Sequence, residues 1–405
     1  MRRFGRTTPG VLGALAIVSA ALCLVTGVVC ANQLNGKQTR RDVLLERTEP
    51  VAFGAQRLYV ALSAADASAA TAFLSGGVEA PEVRDRYQQA LGEAAAALAE
   101  ATAGADDDQT KEIVARITAE LPAYTGLVES ARANNRLGHP VGSAYLRQAS
   151  GLMQNSLLPT AEKLTSNRIS AVRDDQRGIA AQPGTAIFLL LLTLVLLAAT
   201  SLILLRRTNR RVNLGLVTAA GLTILTLLWT VTATLVAAQA VDDNATGARA
   251  RFETLVQARI LAQQARTVET LQLVTRGDIT ESERAFANHT GGLRSRLDTV
   301  HDAVTLAEFT AWTDSHARQT EAYRTDYAAA VDRAIGDGPD TTATNFGDLD
   351  AALLDALTRV RGELRDGVDA GGDRLWLSPS GALLFMAAAA AAVLVGMWPR
   401  LKEFL

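Results

Sequence analysis

Residues 185–240 read TAIFLLLLTLVLLAATSLILL, RRTNRRVN and LGLVTAAGLTILTLLWTVTATLVAAQA: two charge-free runs joined by a turn that holds four arginines. A helix crosses the hydrocarbon core of a bilayer in about 20 apolar residues, so each run is long enough to span a membrane. Residues 10–31 and 378–398 meet the same test. Basic residues beside short loops are retained on the cytoplasmic side. Arg2, Arg3 and Arg6 precede the first run, Arg206, Arg207, Arg210 and Arg211 fill the turn, and Arg400 and Lys402 follow the last run. Four spans put all three clusters on one face. The expectation is a multi-pass protein of the plasma membrane with N- and C-termini cytoplasmic, and with residues 32–183 and 241–377 outside.

Composition agrees. Hydrophobic residues make up 48% of the 405 and charged residues 20%, a more apolar balance than soluble domains carry. A net charge of -2, with 36 Arg beside 4 Lys, gives no basic footprint, so no nucleic-acid partner is expected. Cys23 and Cys30 both lie in the first run, which leaves the outer segments without disulfides or thiolate metal ligands. Basic residues before an apolar core, with Val29-Cys30-Ala31 behind it, also describe a cleaved signal. The run of 22 residues exceeds the roughly 7–15 of a signal core, so an uncleaved anchor is expected.

The spans differ in character. The second is rich in Leu and suits lipid contact, whereas the third spaces Thr223, Thr226, Thr230 and Thr234 along a helix and the fourth holds six alanines from Ala387 to Ala392. Small and hydroxylic residues let membrane helices approach closely, so the third and fourth spans are expected to be buried in a bundle. No span carries Asp, Glu, Lys, Arg or His, which argues against a transporter or channel.

Outside the spans the order is span, segment, span, basic turn, span, segment, span: a tandem unit of about 200 residues in topology. Breaks in the first segment fall at Gly76-Gly77, at residues 104–108 and at Gly138-His139-Pro140, with Ala-, Leu-, Gln- and Glu-rich stretches between them. That predicts four helices, the last with Leu146, Met153, Leu157, Leu164 and Val172 near one face. The second segment predicts four more, with breaks at Arg276-Gly277-Asp278, around Thr305 and at residues 336–340. The fold class expected is all-α: a four-span membrane protein with two extracytoplasmic antiparallel four-helix bundles. Its parts are a cytoplasmic N-terminus (1–9), transmembrane 1 (10–31), bundle 1 (32–183), transmembrane 2 (185–205), the basic turn (206–213), transmembrane 3 (214–240), bundle 2 (241–377), transmembrane 4 (378–398) and a cytoplasmic tail (399–405).

This layout resembles the membrane-proximal four-helix-bundle sensor domains of bacterial chemoreceptors and sensor kinases, present twice. The likeness is architectural and carries no diagnostic motif, and the arginines with which such chemoreceptors read amino acids are not assigned to Arg57, Arg86 or Arg132. Unlike in those proteins, no intracellular signalling coiled coil or kinase is expected after any of these spans. In shape the chain is also similar to the actinobacterial membrane protein that links an external glutamine-binding lipoprotein to the soluble serine/threonine protein kinase G. That resemblance implies sensing of amino acids such as glutamine, aspartate or glutamate, with a solute-binding lipoprotein outside and a soluble kinase inside as partners.

The motifs of catalysis are missing from the sequence: there is no phosphate loop, nucleophile elbow, paired Cys or His-Glu-x-x-His. His139, His289, His301 and His316 stand too far apart in sequence to share a metal on one helix, and Asp106-Asp107-Asp108 lacks the spacing of a Ca²⁺ loop and suits a helix start. A non-enzymatic protein with no cofactor and no metal is expected. The candidate ligand site is the stripe of Trp312, His316, Tyr323 and Tyr327, together with Phe309, set against the plainer reading of an aromatic core with a satisfied histidine. The second outer segment holds 23 acidic and 15 basic residues against 18 and 16 in the first, a balance that suits a basic partner or a solvated face. On the inner side Arg206, Arg207, Arg210 and Arg211, with Leu401, Phe404 and Leu405, are the candidate contacts for a cytoplasmic partner. The bilayer is the other expected partner, and a homo-oligomer is compatible with the layout. The function expected is a transmembrane sensor or signal relay for an extracytoplasmic nutrient; the alternatives are a structural or scaffolding protein of the cell envelope and, further off, a transporter component.

Overall fold

The computed structural model describes residues 8–75, 79, 81–105, 107–208, 213–373 and 378–402, and for residues 8–12, 207–208, 237–246, 370–373, 378 and 400–402 it describes the backbone alone. The described residues are almost wholly helical and contain no strand, as the all-α reading requires. Helix α1 (Thr8–Val43) passes through a π-helical turn (Leu44–Thr48) into α2 (Glu49–Leu74). Then come α3 (Pro81–Ala103), α4 (Asp108–Arg136) and α5 (Val141–Leu152), with a second π turn (Met153–Leu157) leading into α6 (Leu158–Ala180). The remainder is α7 (Gly184–Thr208), α8 (Leu214–Thr275), α9 (Thr280–Val300), α10 (Ala303–Thr325), α11 (Tyr327–Ile335), α12 (Thr342–Asp373) and α13 (Ser378–Lys402). Among the described residues four helices are long and apolar enough to cross a membrane, their apolar stretches lying in α1, α7, α8 and α13.

The chain divides into two compact units. The first comprises Met1–Leu44, Asp174–Thr246 and Arg365–Leu405. Ala20, Cys23, Leu190, Ala219, Met386 and Ala390 belong to one apolar cluster to which all four membrane-length helices contribute. Close approach is made where side chains vanish: a Cβ on Gly215 would stand 2.5 Å from Gly396 Cα, so α8 and α13 cross there backbone to backbone. Asn213 fastens this crossing by donating from Nδ2 to Gly396 O at 3.0 Å while accepting from Gly215 N at 3.1 Å. The Thr26 and Thr193 hydroxyls join α1 to α7 at 3.0 Å.

The expected division into a lipid-facing second span and buried third and fourth spans does not hold. Phe188 and Val195 of α7, Val217 and Leu228 of α8, and Leu384 and Val395 of α13 are all exposed. Each helix instead turns one stripe inward. Thr223, Thr226, Thr230 and Thr234 of α8 do face in, but Thr223 and Thr226 donate to the carbonyls of Ala219 and Leu222 in their own helix, and of these four only Thr234 reaches across, to Gln182 at 3.1 Å. A threonine in a helix can satisfy its hydroxyl locally, so threonine content says which face is inward and not how deep the helix lies.

The second unit comprises Leu45–Arg173 and Gly247–Leu364, so the two segments between the apolar helices form one compact body where two separate bundles were expected. The reason lies in α2. A helix in a lone bundle keeps a broad polar outer face, whereas one apolar over most of its circumference must be covered over most of it. Of α2, the run from Ala52 through Ala55, Leu58, Val60, Leu62, Ala65 and Ala69 to Ala72 is buried, and the stripe of Phe53, Arg57, Ala64, Ala67 and Thr71 is half-exposed. The second segment supplies the extra cover: Leu74 packs on Leu273, Ala330 and Ala334, and Arg361 lies 4.3 Å above the Phe53 ring and bonds Glu49.

Helix boundaries in the first segment follow its turns: Asp107 caps α4 by accepting from Thr110 N at 2.7 Å, and Gly138 takes a positive φ before Pro140. Gly76 and Gly77 lie outside the described residues. In the second segment the break expected around Thr305 falls at His301, whose φ of 59° ends α9, and at Asp302, which caps α10 through Val304 N and Thr305 N. A further break, not expected, comes at Asp326, which ends α10 and caps α11 by accepting from Ala329 N at 3.1 Å. Tyr327 therefore opens a new helix.

Candidate functional site

Each of the two segments of the second unit builds a polar centre around one carboxylate on its most buried helix. In the first it is Asp66 of α2, 2% exposed in an otherwise apolar run. Ser150 of α5 donates to its Oδ2 at 2.8 Å, Gln154 of the second π turn at 3.1 Å, and Tyr124 of α4 donates to Oδ1 at 3.3 Å. All three donors are neutral. Burial pushes the Asp66 carboxyl up, and the hydrogen bonds from Ser150, Gln154 and Tyr124 pull it partway back. A buried charge without a counter-ion is costly, so burial among neutral donors favours the protonated form of this group.

One to three helical turns from Asp66, Tyr124 and Ser150, a narrow cleft opens between Phe73, Glu79, Val128, Arg132, Asn135 and Leu146. Arg132 bonds Glu79 at 3.1 Å and Glu129 at 2.8 Å and lies 4.2 Å above the ring of Tyr87, whose buried hydroxyl has no protein partner. Arg57, by contrast, pairs with Glu100 on an open face.

The centre of the second segment is Glu269 of α8, fully buried. His316 Nδ1 lies 2.7 Å from its Oε1; Arg266 bonds its Oε2, and Trp312 Nε1 donates to the same oxygen at 3.4 Å. The far nitrogen of His316 faces Glu283 of α9 at 3.4 Å, and Phe286 stacks on the imidazole with ring centroids 3.6 Å apart. Burial alone would push His316 down, but the hydrogen bonds and charges of Glu269 and Glu283 outweigh it and raise the group to about 9. Here the carboxylate has cations for partners: the centre is an ionic lock joining α8, α9 and α10, and Arg266 extends it to the Ala334 carbonyl of α11 at 3.0 Å.

The four residues of the expected ligand stripe therefore separate into two pairs. Trp312 and His316 are closed into this lock, with Phe286 and Phe346 edge-on to the indole. Tyr323 and Tyr327 belong to the α8–α9 turn: Tyr323 exchanges hydrogen bonds with Gly277 N and O, Tyr327 donates to Leu273 O at 2.9 Å, and Arg276 caps the Tyr327 ring at 4.2 Å. Positive φ at Arg276 and Gly277 makes this turn, and the tyrosines fill beneath it. Of the inner-face candidates, Arg206 is exposed at the end of α7, the backbones of Arg207 and Leu401 are helical, and Arg210, Arg211 and Phe404 lie outside the described residues. Asp66 and Glu269 were not singled out from sequence; for Asp66 a lone acid among alanines and serines was the available signal, and Glu269, among Gln, Arg and Thr, offered none. Among the described residues no group of His, Cys, Asp and Glu is arranged to hold a metal ion.

Comparison with known proteins places the first centre inside a recognised segment. Residues 40–177 match the family model described as the actinobacterial sensor domain, a span that contains Asp66, Tyr87, Arg132 and Gln154. No curated protein and no solved structure matches the chain. The segment from α2 to α6 is thus similar to an actinobacterial sensor domain, and with four membrane-length apolar helices beside it the chain has the character of a membrane-associated sensor protein.

Proposed function

We propose that this chain is a four-span signal relay of the plasma membrane, with both termini and the arginine turn in the cytoplasm and the second compact unit outside. The signal is an amino acid, or a binding lipoprotein loaded with one, and the receiver is a soluble cytoplasmic protein such as a serine/threonine kinase. The chain performs no catalysis of its own. The observation that carries the reading is the likeness of residues 40–177 to a sensor domain, in a stretch bordered by the membrane-length helices α1 and α7. A relay of this kind works by differential binding: a ligand favours one of two helix packings, and the population shifts by as much as its affinities differ.

The test is cross-linked purification from native membranes, with thermal unfolding of the purified chain in glutamine, aspartate and glutamate. Recovery of a binding lipoprotein and a kinase, or a ligand-dependent rise in unfolding temperature, is expected. Recovery of wall-building enzymes alone, with no response to ligand, points to an envelope scaffold and refutes the relay. Protease treatment of wall-stripped cells checks orientation, since cleavage at the arginine turn with residues 45–173 untouched reverses the topology.

A further inference from the structure

The two π-helical turns share a cause that can be read in the chain: each is followed within two residues by a proline, Pro50 after Leu44–Thr48 and Pro159 after Met153–Leu157. Proline offers no amide to the carbonyl four residues back and its ring crowds that carbonyl. An α-helix meets this by widening the preceding turn. In the second turn Leu158 N–H reaches the Met153 carbonyl, five residues back, and the Asn155 side chain donates at 2.8 Å to Gly151 O. In a regular α-helix that oxygen would take the amide of Asn155 itself.

The widened turn aims two side chains at acids on other helices: Gln154 donates to Asp66 of α2 at 3.1 Å, and Ser156 to Glu120 of α4. Met153 and Leu157 anchor its ends, both fully buried. Proline alone does not make such a turn, because Pro122 sits inside α4 with α-helical backbone on either side. What distinguishes residues 153–157 is the pair of acidic partners. Asp66 is also held only by neutral donors, so no ion pair fixes it in place as Arg266 and His316 fix Glu269.

We propose that Met153–Leu157 is a register switch. In the form described, the turn is π-helical and clamped to Asp66 and Glu120; in the other it relaxes to α geometry, Gln154 and Ser156 leave their acids, and α6 is displaced relative to α5 by about one residue, about 1.5 Å along its axis. The switch is a property of the second unit and stands whether or not the relay reading does; if both stand, it is the element through which an outer signal moves α6.

Hydrogen–deuterium exchange on the full chain in lipid nanodiscs tests it, read at residues 151–158. The wild-type turn is expected to exchange about tenfold faster than the middle of α4. Pro159→Ala, which restores the missing amide, slows the turn about tenfold, and Gln154→Leu, which removes one clamp bond without emptying the core, speeds it while leaving α3 and α4 unchanged. Equal protection in the turn and α4, or the same response to Pro122→Ala as to Pro159→Ala, overturns the proposal. If Gln154→Leu speeds exchange throughout the unit, the clamp is purely structural, and the proposal also fails. None of these outcomes depends on recovering a lipoprotein or kinase, so the relay and the switch fail separately.

Discussion

The stability of the second unit is expected to fall between about pH 6.5 and 9, and His316 is the reason. Its imidazolium is held at about 9 against an ordinary value of 6.5, so the folded chain keeps a proton that the unfolded chain has already released. The stabilisation is fully present below about pH 6.5 and is lost as pH rises through about 9. The interval, at about 1.4 kcal/mol per pH unit, is worth about 3 kcal/mol. Geometry supports so large a value, since the ring is 5% exposed, lies 2.7 Å from Glu269 and 3.4 Å from Glu283, and stacks on Phe286. The measurement is the unfolding free energy of the full chain in nanodiscs from pH 5.5 to 10, for the wild type and His316→Gln. Tryptophan fluorescence is a suitable signal because Trp312 touches the same carboxylate. The variant loses ring packing at every pH, so the informative quantity is the gap between the two curves: it should shrink by about 3 kcal/mol as pH passes 9. A gap that stays constant across the range would mean that the imidazole is neutral in the fold, and the ionic lock as described would be wrong.

Two further outcomes check other parts of the structure. Gly396→Val should part the α8–α13 crossing, where a Cβ would stand 2.6 Å from Gly215 Cα, and lower stability by about 1–3 kcal/mol, whereas Gly221→Val, which meets open space, should be nearly neutral; equal effects in thermal unfolding would remove the close crossing. Tyr327→Phe should cost about 1 kcal/mol through the lost bond to Leu273 O and leave any ligand response intact; an unchanged stability with a lost response would restore the ligand-cage reading of that residue.

Much of the architecture was legible because it rests on local properties of the chain. Charge-free runs of more than 20 residues mark membrane-length helices wherever the rest of the chain goes, and the breaks at Gly138-His139-Pro140 and Arg276-Gly277-Asp278 were visible because positive φ and missing amides act at the residue concerned. The break at Asp326 was missed for a related reason. Asp326 adopts an extended conformation that any residue can take and interrupts a stripe that continues in phase, so only its capping bond to Ala329 N reveals it. The aromatic stripe shows the limit of periodicity. Spacing put Trp312, His316, Tyr323 and Tyr327 on one face, but a face says nothing of partners, and Glu269 and Gly277 lie 43 or more residues from the side chains they bind.

By itself the sequence determined the all-helical class, the four apolar helices and most helix ends, since each follows from hydropathy, proline and glycine within a few neighbouring residues. The tertiary structure alone decided that the two segments between the apolar helices form one compact unit, that Asp66 is held by neutral donors while Glu269 is held by cations, and that the turn before Pro159 opens toward two acids. These are contacts across tens to hundreds of residues, set by which faces remain uncovered once every helix has formed, and no local pattern encodes them.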